Sequence, residues 1–104
     1  MHKLGISAIV LAKNEDNFLP KCLASISWVD QIIIVGDEPS EKVLKIVKDA
    51  GAKIYQRKLD NFCDQRNYAL EKVETDWVLL VDPDEEVTPE LTGEIKTAIT
   101  KKRI

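Results

Sequence analysis

Four short apolar runs, each followed by a stretch with helical spacing, leave this chain very few architectures. Ile6-Ser7-Ala8-Ile9-Val10-Leu11-Ala12 is apolar at nearly every position, and Ile32-Ile33-Ile34-Val35 is β-branched throughout. A strand with one face in water alternates polar and apolar residues. A strand without that alternation is buried on both faces, as in a parallel sheet between helix layers. Ala52-Lys53-Ile54-Tyr55 reads as a short third strand and Trp77-Val78-Leu79-Leu80-Val81 as a strong fourth.

The segments between these runs carry helix signals. Asn14 is a candidate cap for a first helix, with Glu15 and Asp16 near its positive end and Leu19, Cys22, Leu23 and Ile26 at helical spacing. Pro20 is acceptable only in the first turn. Ser40 caps a second helix whose apolar face is Val43, Leu44, Ile46 and Val47, and Gly51 stops it. A third helix is expected from Phe62 to Val73, capped by Asp60 or Asn61. Thr88-Pro89-Glu90 gives a cap, a proline at the first helical position and an acidic first turn for a fourth, with Leu91, Ile95, Ala98 and Ile99 apolar. Strict β-α alternation predicts an α/β fold with a doubly wound, mainly parallel, four-stranded Rossmann-like sheet. One domain over residues 1–104 accounts for the whole length.

Composition narrows the partners. The net charge of −3 lacks the basic footprint that nucleic acid requires, so no nucleic-acid partner is expected. Lys101-Lys102-Arg103 instead complements the dipole of the last helix. No run approaches the length of a transmembrane segment, and the first residues lack a secretory pattern. Cys22 and Cys63 have no metal-binding spacing and read as free thiols of a cytoplasmic protein.

Ligands of doubly wound sheets bind outside the carboxyl ends of the strands. Those ends carry Lys13-Asn14-Glu15-Asp16, Gly36-Asp37-Glu38 and Asp82-Pro83-Asp84-Glu85-Glu86. The last set packs four carboxylates into five positions. Such a cluster repels itself unless a cation neutralises it, and hard oxygen donors suit Mg²⁺ or Mn²⁺ bridging to a substrate phosphate. It reads equally as a solvated acidic turn, with Glu85 and Glu86 favouring the next helix start. Arg66 suits phosphate oxygens, or a surface ion pair with Asp64 or Glu74. A P-loop is excluded because no glycine-rich phosphate loop exists. A phosphoacceptor domain would need a lysine at a later strand end, which is missing.

Taken in order, five motifs resemble the family 2 glycosyltransferases of GT-A fold, and within them the lipopolysaccharide-core β-glucosyltransferases of bacteria. They are Ile6 to Glu15, Leu19 to Ile26, Trp28 to Val35, Phe62-Cys63-Asp64-Gln65-Arg66-Asn67-Tyr68-Ala69, and Asp76 to Glu85. The resemblance spans about residues 5 to 95. It implies an inverting, metal-dependent transferase using a nucleotide-sugar donor, a UDP-sugar. Ala12, Asn14 and Glu15 would line the nucleoside pocket, and Arg66 would reach the base or diphosphate. Asp82 would sit near the ribose, and Asp84, with Asp82, would hold Mn²⁺ or Mg²⁺. Where the family has Asp-Ser after the second strand this chain has Gly36-Asp37, so Asp37 is the candidate base contact one residue late. Family enzymes continue past the metal motif with the acceptor site and the general base. The chain is therefore expected to be the donor-binding half of such an enzyme, with the sugar acceptor bound by the complete protein, peripheral to the membrane. A non-catalytic nucleotide-binding module is the alternative. An uncovered sheet flank predicts self-association into a homo-oligomer.

Overall fold

The structure, a computed structural model, describes residues 5–12, 17–58 and 60–102. Strands β1 (Ile6–Ala12), β2 (Gln31–Gly36), β3 (Lys53–Gln56) and β4 (Trp77–Val81) alternate with helices α1 (Leu19–Ser25), α2 (Glu41–Asp49), α3 (Phe62–Leu70) and α4 (Pro89–Lys102). The sheet order is β3-β2-β1-β4, and every pairing is parallel. The expected α/β class with a four-stranded parallel sheet is what forms.

The central strands are apolar on both sides because each side has its own helix layer. Ala8, Val10, Ala12 and Ile34 pack with Leu19, Cys22 and Leu23 of α1 and Val43 and Val47 of α2. Ile9, Ile33 and Val35 face the other way, against Ala69 of α3, with Leu11, Tyr55, Tyr68 and Val73 around them. Register puts Ile9 beside Ile33 and Val10 beside Ile34, so each face is continuous across β1 and β2. β4 lies at the edge. Leu79 and Val81 join the α1–α2 face, whereas Val78 and Leu80, level with Ser7 and Ile9, stay exposed on the edge strand, with α3 packed mainly on β1 and β2.

Three caps form as the sequence predicts. Ser40 accepts from Val43 N at 3.2 Å, Asn61 from Asp64 N at 2.7 Å and Thr88 from Leu91 N at 3.1 Å. Gly51 ends α2 with φ +72°, a left-handed conformation costly for other residues. The start of α1 differs from expectation. Asn14 lies outside the described residues, and the helix begins at Leu19 after Phe18, which supplies no side-chain cap. Pro20 in the first turn needs no amide partner, which lets the helix start there. α3 ends at Leu70, short of Val73, because the chain tightens through Lys72 N to Ala69 O at 3.0 Å and Val73 N to Leu70 O at 3.2 Å. That turn drops Val73 onto the α3-side core.

α4 meets the segment that follows α1. Ile95 packs on the α1-side core, and the Lys96 ammonium stands 5.4 Å from the Trp28 ring centroid. No described helix is long and apolar enough to cross a membrane.

Candidate functional site

Parallel strands bring the β1 and β4 carboxyl ends together, and a cavity of about 490 Å³ opens beside them. Its floor is Ile9, Leu11 and Leu80. Phe62, Cys63 and Arg66 form one wall, and Asp82, Pro83 and Asp84 form the rim. Phe62 and Arg66 share a wall because residues four apart stack on one helix face.

The acidic rim is a built turn. Asp82 N donates to Glu85 Oε1 at 2.9 Å, and Glu85 N donates back to Asp82 O at 2.9 Å. Glu85 therefore folds back on Asp82 instead of favouring the next helix start, which waits for Pro89. The Cys22 thiol also donates to Asp82 O, at 3.5 Å. Burial first, and then the nearby carboxylates led by Glu85, push this thiol up to about 11, so it stays protonated and a donor at neutral pH. At the far end of the turn, Ser25 Oγ accepts from Val87 N at 2.9 Å and donates to Cys22 O at 2.7 Å.

The α3 wall is fixed from the β3 side. Gln65, buried among exposed neighbours, donates from Nε2 to Arg57 O at 3.2 Å and accepts from the Arg57 guanidinium at 2.8 Å. Arg57 also bonds Asp60 Oδ1 at 3.0 Å, and that hydrogen bond holds the Asp60 carboxyl below the usual carboxylate range. Asp64 Oδ2 accepts from Asn61 Nδ2 at 2.8 Å. Thus Asp60 and Asp64, the carboxylates at the start of α3, are each occupied by local partners.

The structure brings Arg66, Asp82 and Asp84 to one cavity. Asp37 lies elsewhere, in a hollow of about 510 Å³ with Glu38, Gln56, Arg57 and Lys58 at the ends of β2 and β3. Glu38 turns that loop with φ +46°, uncommon for a residue with a side chain. A Cβ placed on Gly36 would meet Pro39 at 3.6 Å and the Ala12 carbonyl at 3.7 Å, ordinary contacts. Ala12 is buried as the last residue of β1. Asn14 and Glu15 lie outside the described residues. Sequence reasoning missed the apolar lining, Leu80 and Phe62 above all, and the tethers Ser25, Gln65 and Arg57. The four-residue spacing of Phe62 and Arg66 was the available signal for the wall.

The donor set fits a hard divalent cation only in part. Among the described residues no group of three or more His, Cys, Asp or Glu side chains stands ready to hold a metal ion. Asp82 and Asp84 offer carboxylate oxygens of the right chemistry, and an ion there would complete its shell with water and substrate oxygens. Mg²⁺ and ions like it are commonly held in this way.

Comparison with known proteins agrees with the fold. Over 92 residues the chain is 32% identical to an uncharacterized glycosyltransferase of Rickettsia typhi, covering 88% of this chain and 32% of that protein. It is 29% identical over 101 residues to the lipopolysaccharide core biosynthesis glycosyltransferase LpsC of Rhizobium meliloti, covering 86% of this chain and 37% of LpsC. Mannosyl-3-phosphoglycerate synthase from Rubrobacter xylanophilus superposes with TM-score 0.75 at 20% identity, over 90% of this chain and 36% of that one. Glucosyl-3-phosphoglycerate synthase from Mycobacterium tuberculosis, in complex with Mn²⁺, UDP and glucosyl-3-phosphoglycerate, gives TM-score 0.66 at 19% identity, over 88% and 39%. The chain spans about a third of the length of these relatives. Residues 7–103 match glycosyl transferase family 2, and the chain belongs to that family.

Proposed function

We propose that this chain is the donor-binding part of an inverting glycosyltransferase and binds a UDP-sugar with Mn²⁺ or Mg²⁺. The observation that carries the reading is the shared cavity of Arg66, Asp82 and Asp84 at the carboxyl edge of the sheet. A nucleoside diphosphate needs a cation on its phosphates and an apolar surface under its rings. Arg66 supplies a fork suited to phosphate oxygens. Ile9, Leu11, Leu80 and Phe62 supply apolar surface. Asp84, with Asp82, would hold the metal, which neutralises the leaving diphosphate when bound. Ala12, Asn14 and Glu15 would approach the nucleoside from the end of β1.

Transfer also needs an oriented acceptor and a general base. We assign both to the two thirds of the relatives' length that this chain does not span. The catalytic cycle then belongs to the complete enzyme, in lipopolysaccharide-core assembly.

Calorimetric titration with UDP tests the reading. Binding is expected to be weak in EDTA and at least about tenfold tighter in Mn²⁺, about 1.4 kcal/mol. Equal affinity in the two buffers would contradict the metal role.

A further inference from the structure

Resting on the metal-dependent reading above, we propose that Ser25 is a positioning residue that sets Asp82 and Asp84 for the cation. Asp84 stands at the apex of a turn whose two ends are tied to α1. At the near end, Asp82 O accepts from the Cys22 thiol at 3.5 Å, and Asp82 N is held by Glu85 Oε1 at 2.9 Å. At the far end, Val87 N donates to Ser25 Oγ at 2.9 Å. The two ties meet in one place, because the same Ser25 hydroxyl donates to Cys22 O at 2.7 Å. Ser25 O, in turn, accepts from Trp28 Nε1 at 3.0 Å, which fixes the last turn of α1.

Physical chemistry makes this clasp consequential. The turn from Asp82 to Val87 carries four carboxylates, whose repulsion favours opening it. Val87 is buried, so its amide needs a partner, and the serine hydroxyl is that partner. Without the hydroxyl, Val87 keeps its side chain in the α1-side core but its amide loses its partner, so the far end of the turn that presents Asp84 is held less tightly. Two carboxylates then meet the cation at a separation set by thermal motion. Outer groups that orient metal ligands characteristically change affinity by about 10–100-fold.

The test compares UDP affinity in Mn²⁺ and in EDTA for the wild type, Ser25→Ala and Ser25→Thr, with thermal unfolding alongside. Ser25→Ala is expected to lose about tenfold or more of the affinity gained from Mn²⁺, with EDTA affinity within about twofold of wild type. Ser25→Thr, which keeps the hydroxyl, is expected to retain the gain. Ser25→Cys, nearly isosteric but a poor acceptor, is expected to repeat the alanine pattern where the alanine variant folds badly. A merely structural serine would weaken binding in both buffers alike, and that result would overturn the inference. If the wild type gains from Mn²⁺ and Ser25→Ala gains equally, the positioning role is wrong while the donor site stands. If the wild type gains nothing from Mn²⁺, the donor-site reading falls first and this role with it.

Discussion

Asp84→Asn is expected to remove most of the Mn²⁺-dependent part of UDP binding, a loss of about tenfold or more at saturating metal. The amide keeps the size of the side chain but loses its charge, and hard cations prefer carboxylate oxygen. Asp84 is also a rim residue of the cavity and exposed, so the substitution disturbs no buried packing. Asp37→Asn is the matched comparison. Asp37 lines the other hollow, away from the acidic turn, and its change is expected to alter UDP affinity by no more than about threefold. Calorimetry on both variants in Mn²⁺ and in EDTA decides. Retention of the Mn²⁺ gain by Asp84→Asn, or an equal loss in Asp37→Asn, would move the metal away from the β4 turn.

Ile33→Ala is expected to destabilise the fold by about 2–5 kcal/mol, against a total of about 5–15 kcal/mol for a domain of this kind. Ile33 is fully buried at the centre of β2, in a small core that also holds Ile9, Val35 and Ala69. That core seats α3, so the cavity wall bearing Arg66 should loosen with it. Leu80→Ala is the contrast. Leu80 is 51% exposed on the edge strand, and its loss is expected to change stability by no more than about 0.5 kcal/mol. Urea unfolding measures both. Similar midpoint shifts for the two substitutions would contradict the assigned core.

How far the sequence reaches is visible in particular residues. The nearly continuous apolar run Ile6–Ala12 becomes β1 with those bounds, because burial on both faces leaves no other place for it. Ser40, Asn61 and Thr88 cap as read, since a cap is a local contact three residues long. The meeting of Arg66 with Asp82 and Asp84 follows from strand ends sharing one edge. Contacts across layers were not legible. Nothing in the string pairs Ser25 with Val87, 62 positions apart, or buries Gln65 between exposed neighbours. The exposure of Val78 and Leu80 was hidden as well, because a wholly apolar strand reads the same at a sheet's edge as at its centre. Asp37 joined the candidate site by family pattern, and sheet order places its hollow beyond β1 from the cavity with Arg66. Local rules found the elements and the acids. The ties that hold the acids in place come from tertiary packing.

The most direct measurement is paramagnetic broadening of the backbone amide spectrum by Mn²⁺ in the presence of UDP. Signals are expected to vanish first at Val81, Asp82 and Asp84 to Val87, with Cys63 and Arg66 close behind, and Asp84→Asn is expected to restore them. Broadening centred on Gly5, Asp30 and Thr75 at the opposite edge of the sheet, or spread evenly over the surface, would contradict it.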